Sequence, residues 1–379
     1  MKKLLSITLY ISIILISLFG CAPNSSQPTE AASSSDELPD EYPFFPTALQ
    51  SNSGTANLPV TWANLNLTGR LVYGLGAVDD HNNYVIRIYI LDLVTGNITT
   101  IYTVPLNGWI YYVSVSPDDT QLVMSYSPPL GENSNIVQAL YTMPLDGSQP
   151  PQLLFMPPTA HDQYTQAEWS PDGKYIYYTH VNYQIPDDPN RVSPLYTIYR
   201  MAYPGGQPES IATGAYWPRL SSDSSRLVYV SADPLSSRNK LTIADSNGSN
   251  AQEVTLSGSH VPDIMEAPVF LPDGKSILFS GAAPGESYQP DWFEKFMGIH
   301  VAKANGEPSQ WWSVSASGGE IAQLTDTLHS GLYASISPDH KRIASYSREG
   351  IFIMNPDGSD LTMLIPDLNG FSSTVNWIP

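Results

Sequence analysis

One cysteine, Cys21, stands in the whole chain. A single thiol forms no internal disulfide, so the fold cannot depend on one. Positive charge is also scarce: 17 Lys and Arg face 36 Asp and Glu, for a net charge of −19. Phosphate backbones and anionic lipid surfaces need a concentrated basic face, so nucleic acid and peripheral lipid binding are excluded as partners. The chain has no Gly-x-Ser-x-Gly nucleophile elbow, phosphate loop, dinucleotide fingerprint or cysteine-based metal motif. A peptidase reading is left without a nucleophile.

The start of the chain is where apolar residues concentrate. Met1-Lys2-Lys3 is a short basic segment, and Leu4 to Phe19 is almost wholly apolar. Leu18-Phe19-Gly20-Cys21 then places a small residue before the cysteine. This layout predicts a lipoprotein signal peptide over 1–20. Cys21 becomes the acceptor of a thioether-linked diacylglycerol, whose two acyl chains anchor stably where one would bind reversibly. The expected location is extracytoplasmic at the cell membrane, with the lipid as the sole membrane contact and no other cofactor. Loss of Lys2 and Lys3 with the signal removes two positive charges, taking −19 to −21. Residues 21–58, rich in Ser, Thr, Pro and acids, predict a disordered tether. As a flexible coil it reaches roughly 30 Å or more.

The remainder is rich in turn formers and aromatics, with 33 Pro, 26 Gly and 23 Tyr in the chain. That favours an all-β fold. One phrase recurs, an apolar strand followed by Ser-Pro-Asp-Gly-Lys or a variant. It appears as Val115-Ser116-Pro117-Asp118-Asp119, Trp169-Ser170-Pro171-Asp172-Gly173 and Leu220-Ser221-Ser222-Asp223-Ser224. It returns as Phe270-Leu271-Pro272-Asp273-Gly274 and Ile336-Ser337-Pro338-Asp339-His340. The aspartates are 54, 51, 50 and 66 residues apart. Pro presets φ, Asp bonds back to the backbone and Gly takes positive φ, so each phrase is a hairpin turn, and its Asp is a turn residue before it is a catalyst. A second turn interleaves: Thr95-Gly96-Asn97, Asp146-Gly147-Ser148, Pro204-Gly205-Gly206, Asn247-Gly248-Ser249, Ser317-Gly318-Gly319 and Asp357-Gly358-Ser359. Two turns per unit and four strands per unit predict a six-bladed β-propeller over 59–379, with four antiparallel strands per blade. The last residues, Val375-Asn376-Trp377-Ile378-Pro379, read as an innermost strand without its partner. Residues 69–73 read as that partner. The ring is therefore expected to close by pairing N- and C-terminal strands.

The Trp169-Ser170-Pro171-Asp172-Gly173-Lys174 phrase, with its downstream Asp-Gly turn and Leu-Thr strand, resembles the TolB-type β-propeller repeat. The resemblance covers about residues 60–379. It implies a non-catalytic envelope scaffold that binds a protein or peptide. The same repeat occurs in propellers of the prolyl oligopeptidase class, which carry a hydrolase domain; no segment of that size accompanies the repeats here. A cell-wall glycan-binding module is the alternative. A metal-dependent propeller enzyme of lyase or lactonase type is the third reading.

His161, His260 and His329 lie 10, 12 and 9 residues before Pro171, Pro272 and Pro338. Each falls in a loop feeding an innermost strand, and in a propeller such loops gather at the channel mouth. Neutral imidazoles there could take a metal or a polar ligand; three unrelated surface histidines are the competing reading. Trp109, Tyr216, Trp217 and Phe371 occupy matching loops and make the mouth the expected ligand site. A long insertion, roughly 284–309, holds Trp292, Phe293, Phe296 and Met297 at i, i+4 spacing. It predicts one short helix whose apolar side either packs on its own blade or meets a partner.

Overall fold

The computed structural model describes residues 54–79, 81–129, 137–183, 194–232, 238–282, 309–326, 333–347, 349–366 and 372–379. Twenty-seven strands are present among them, with one 3-10 turn at Ala63–Leu65. In chain order, β1 (Thr55–Asn57), β2 (Arg70–Val78), β3 (Tyr84–Asp92) and β4 (Asn97–Thr103) belong to the first blade. The second is β5 (Trp109–Val115), β6 (Gln121–Ser127), β7 (Ala139–Pro144) and β8 (Gln152–Phe155). The third is β9 (Asp162–Trp169), β10 (Tyr175–Asn182), β11 (Leu195–Ala202) and β12 (Glu209–Thr213). The fourth is β13 (Ala215–Leu220), β14 (Arg226–Ala232), β15 (Asn239–Asp245) and β16 (Gln252–Glu253). After β17 (Leu256–Ser257) come β18 (Met265–Phe270), β19 (Ser276–Ala282), β20 (Ser309–Ser315) and β22 (Ala322–Gln323), the fifth blade. Between the last two, β21 (Gly319–Glu320) pairs in parallel with β17. The sixth is β23 (Tyr333–Ile336), β24 (Ile343–Ser347), β25 (Gly350–Met354) and β26 (Thr362–Pro366). β27 (Ser372–Ile378) then pairs antiparallel with β2 and completes the first blade, Arg70 facing Ile378 and Leu71 facing Trp377.

The first strands of successive blades touch in ring order: β27, β5, β9, β13, β18, β23 and back to β27. They enclose the central channel, and the architecture is a six-bladed propeller closed by N- and C-terminal strands, as the repeat predicts. One strand lies before the boundary read at residue 59. Thr55–Asn57 pairs with Asn97–Thr99 on the outer edge of the first blade. Its residues are small and polar, so no apolar pattern announces it.

The second strand of each blade is buried on both faces, and strand periodicity assigns its side chains to two neighbours. In β14, Leu227 and Tyr229 pack with Tyr177 and Ile198 of the third blade. Val228 and Val230 pack with Ile277, Phe279 and Trp312 of the fifth. In β6, Leu122 and Met124 face the first blade while Val123 faces the third. Six apolar clusters thus lie between six pairs of blades. This two-sided burial explains why these strands read as continuous apolar runs.

The recurring turn has a serine-centred mechanism. Ser116, Ser170, Ser221 and Ser337 each donate Oγ–H to the following aspartate at 2.6–2.7 Å. The same Oγ accepts the backbone N–H five residues on, at 2.9–3.0 Å. That closes the hairpin. The Ser221 hydroxyl and the N–H and hydroxyl of Ser225 hold the Asp223 carboxyl down to about 2. Where the phrase lacks glycine, Asp119, Ser224 and His340 take positive φ instead. The copy with Leu271 recovers the bond through Ser276, whose Oγ donates to Asp273 at 2.7 Å. These aspartates are committed to turns.

Candidate site at the channel mouth

Antiparallel alternation sends both tight turns of every blade to one face. Connections from second to third strands, and from fourth strands to the next blade, start on the other face. Trp109 opens β5, His161 precedes β9 and His260 precedes β18, so these predicted residues stand on that second face. His161 and His260 are exposed. The carbonyl of His161 accepts from the Tyr183 N–H at 2.8 Å, and His260 Nδ1 lies 2.8 Å from Ser259 Oγ. No three His, Cys, Asp or Glu side chains cluster as a metal would require, among the described residues. His329, Phe371, Trp292, Phe293, Phe296, Met297 and Cys21 lie outside the described residues.

Two of the aromatic members, Tyr216 and Trp217, meet rings of other blades. Trp217 packs edge-on against Tyr112 at 5.3 Å and beside Tyr333 at 6.0 Å, joining the fourth blade to the second and the sixth. Tyr216 lies 5.1 Å from Tyr196 of the third blade, and Trp109 lies 6.2 Å from Tyr111. Backbone bulges arrange this. Gln166, Trp217 and Ala267 take φ of 54°, 59° and 46°, each four residues before the turn phrase of its blade. The pairing register shifts at the same step. A non-glycine residue at positive φ is costly and needs support. Here Gln166 Oε1 accepts from the Trp217 N–H at 2.8 Å and from Thr179 Oγ1 at 2.7 Å. Bulges re-aim side chains and favour functional positions.

Below the aromatic group a polar bridge crosses the channel. The Arg219 guanidinium lies 3.5 Å from Glu168 of the third blade. It also donates to the Tyr333 hydroxyl and, at 3.2 Å, to the Ala334 carbonyl of the sixth. Its carbon sits 4.8 Å over the Tyr333 ring, and Tyr333 lies 3.3 Å from Glu168. Burial pushes the Glu168 carboxyl up, while Arg219 and the Ser114 hydroxyl pull it back. The bridge floors the mouth. Sequence reasoning missed Glu168, Arg219 and Tyr333. Counting back from the turn would find them: Ser114, Glu168, Arg219 and Ser335 stand two residues before it, and Tyr112, Gln166, Trp217 and Tyr333 four before.

Glu266, on the first strand of the fifth blade, pairs with no cation among the described residues. Burial pushes its carboxyl up to about 7. Its charge in turn helps burial raise the phenols of Tyr112 and Tyr196, and Tyr216 reaches about 12. These tyrosines stand on the second, third and fourth blades. The linkage has a definite sign. The unfolded chain loses this proton near pH 4.3, before the folded one does, so stability falls as pH rises from there to about 7 and stays reduced above. Glu266→Gln should be roughly 1–3 kcal/mol more stable than wild type at pH 8, the gap closing toward pH 4.5. Melting curves of both proteins across that range check this; parallel profiles would refute it.

The ring and its bulged inner strands define a six-bladed propeller with a floored channel mouth. The likeness to solved structures gives its type. TolB from Acinetobacter baumannii aligns over 82% of this chain and 67% of its own, at 18% identity and a TM-score of 0.55. A putative TolB from Agrobacterium tumefaciens aligns over 83% and 99%, at 16% identity and a TM-score of 0.50. A chain of a nidogen/laminin complex aligns over 82% and 98%, at 9% identity and a TM-score of 0.55. The fold is TolB-like. No family profile and no curated protein matches the chain by sequence.

Proposed function

We propose that the chain is a lipid-anchored, extracytoplasmic propeller that binds a protein or peptide of the cell envelope at its channel mouth, without catalysing a reaction. The observation that carries this is the mouth itself. Tyr112, Tyr196, Tyr216 and Trp217 stand there with Glu168 and Arg219, and aromatic rings beside a few polar groups are what peptide and small-molecule sites share. Glu168 is held by Arg219 and Tyr333, which suits a floor better than an acid or base. Two of the similar structures are TolB proteins and a third is a protein complex, which supports a binding role.

The test compares anchored wild type with two variants, Tyr196→Ala/Tyr216→Ala and Trp292→Ala/Phe296→Ala, each first shown to melt cooperatively. Purified sacculi and an envelope protein extract are offered in parallel. Retention of a specific protein, lost in the first variant alone, is the expected result. Retention of sacculi instead would replace the protein partner by a glycan. Loss in the second variant alone would move the site to the insertion. In the same cells, Cys21→Ser should leave the membrane fraction; a variant that is processed and stays membrane-bound defeats the anchor.

A further inference from the structure

We propose that the tight-turn face carries a binding site for a neutral sugar residue, in the cavity between the second and third blades, with Trp169 and Tyr203 as its aromatic wall and Gln121 and Asp118 as its polar contacts. The site is separate from the channel mouth and does not rest on the mouth being a site. Four observations carry it.

The first is the cavity. It measures about 330 Å³, at the small end of the ~300–1,000 Å³ of ligand sites. Pro117, Asp118 and Gln121 of the second blade line it together with Trp169, Pro171 and Tyr203 of the third. Trp169 and Tyr203 meet edge to face at 4.6 Å. A sugar has an apolar ring face as well as hydroxyls, and a wall of aromatic and proline rings suits that face.

The second is an unmet donor. Trp169 is 5% exposed, and its indole N–H is buried with no partner among the described residues. The indoles of Trp62, Trp312 and Trp377 each donate to a backbone carbonyl, at 2.8, 3.4 and 2.9 Å. A buried donor left unpaired is costly, and a hydroxyl entering the cavity that Trp169 lines would supply its acceptor.

The third is the mixed sign of the remaining polar groups. The Tyr203 hydroxyl donates to Gln121 Oε1 at 2.7 Å, which leaves the Nε2 hydrogens as the donors of that amide. Ser116 and Thr120 both bind Oδ1 of Asp118, which leaves Oδ2 as an acceptor. The Ser116 and Thr120 hydroxyls hold the Asp118 carboxyl below its ordinary range, so it is charged at neutral pH. Asp172 already has a cation, Lys174, at 3.0 Å. Sugar hydroxyls donate and accept at once, which matches a carboxylate oxygen beside N–H donors. A proline ring has no proton for Asp118, an ammonium has no lone pair for the indole, and a phosphate is repelled by the charge.

The fourth is rigidity. The Tyr203–Gln121 bond ties the third blade to the second at the cavity. The Asp172 N–H donates to Ser224 Oγ of the fourth blade at 3.0 Å, which fastens the turn behind it. Walls fixed before a ligand arrives lower the cost of binding.

The experiment titrates the protein with cellobiose, maltose and N,N′-diacetylchitobiose, and with acetyl-Pro-Pro-Pro-amide as the peptide control. Indole N–H resonances of tryptophan-labelled protein report occupancy, that of Trp169 being assigned by its loss in Trp169→Phe. At least one disaccharide should bind with a Kd of ~1–10 mM and shift the Trp169 resonance. Trp169→Phe keeps a ring and removes the donor; it should weaken binding roughly 3–10-fold, and so should Gln121→Ala. Gln121→Ala decides the matter if Trp169→Phe does not melt cooperatively. Tyr196→Ala/Tyr216→Ala, altered on the other face, should still bind the sugar. Absence of binding by every disaccharide at ~10 mM overturns the inference. So does binding of the proline peptide in their place. Sugar binding lost in Tyr196→Ala/Tyr216→Ala alone also overturns it, and puts the sugar at the mouth.

Discussion

Removal of residues 372–379 is expected to unfold the propeller rather than shorten it. β27 supplies the innermost strand of the first blade, and its apolar side chains Val375, Trp377 and Ile378 are buried together with Thr374. Val375 and Trp377 pack into the cluster between the sixth and first blades, and Ile378 into that between the first and second. Thr374 and Asn376 bond to the backbone of Val113 in the second blade. The Trp377 indole donates to the Thr68 carbonyl at 2.9 Å, and the Trp377 backbone N–H donates to Ser335 Oγ of the sixth blade. Truncating a buried Trp alone costs about 3–5 kcal/mol. Losing the whole strand exceeds the 5–15 kcal/mol that stabilises a typical domain, and it exposes an unpaired edge on β2. Trp377→Ala should lower the melting temperature by roughly 5–15 °C. The deletion should give no cooperative transition at all. A deletion variant that melts within a few degrees of wild type would show that the ring closes without this strand.

Arg219→Met is expected to cost about 3–5 kcal/mol, because it strands the Glu168 charge in the channel. The two side chains are 13% and 19% exposed, so solvent screens the pair only partly. The loss should grow with pH. Without Arg219 the folded-state pKa of Glu168 rises further above its unfolded value, so the variant loses stability as pH climbs from about 4.3 through that folded value. Pairing Arg219→Met with Glu168→Gln removes the stranded charge and should recover most of the loss. Urea unfolding at pH 5 and pH 8 on the four corners of this cycle measures the coupling. A loss equal at both pH values, or a double variant no better than the single one, would mean that Arg219 acts by packing alone.

The turns made the ring legible from sequence. Their spacing sets the blade number, and Val375–Ile378 matched to 69–73 sets the closure, because hairpin chemistry is local. Trp109, Tyr216 and Trp217 were also within reach, being aromatic residues at the start of inner strands. The contacts of Glu168, Arg219 and Glu266 were not, for a physical reason. Consecutive strand residues point to opposite faces, so Tyr216 and Trp217 should not both meet the channel group. The positive φ at Trp217 breaks that alternation, and nothing about a tryptophan announces positive φ. The pairing of Arg219 with residues 51 and 114 positions away is likewise a product of ring closure, not of any local pattern. The edge strand Thr55–Asn57 escaped because backbone pairing holds it where side chains give no signal.

The seam in the first blade means that its covalent break is not a break in packing. Arg70 faces Ile378 across the sheet, and Arg70 Nε donates to the Pro379 carbonyl at 3.0 Å. Elsewhere the same two strand positions are joined by the recurring aspartate hairpin. Each blade rests on two neighbours through clusters of similar make-up, so no blade is first or last as far as the apolar contacts are concerned. The chain could be spliced at this seam and opened at another turn with every inter-blade contact kept. Blade order is a property of the backbone's route, whereas the ring is a property of its side chains.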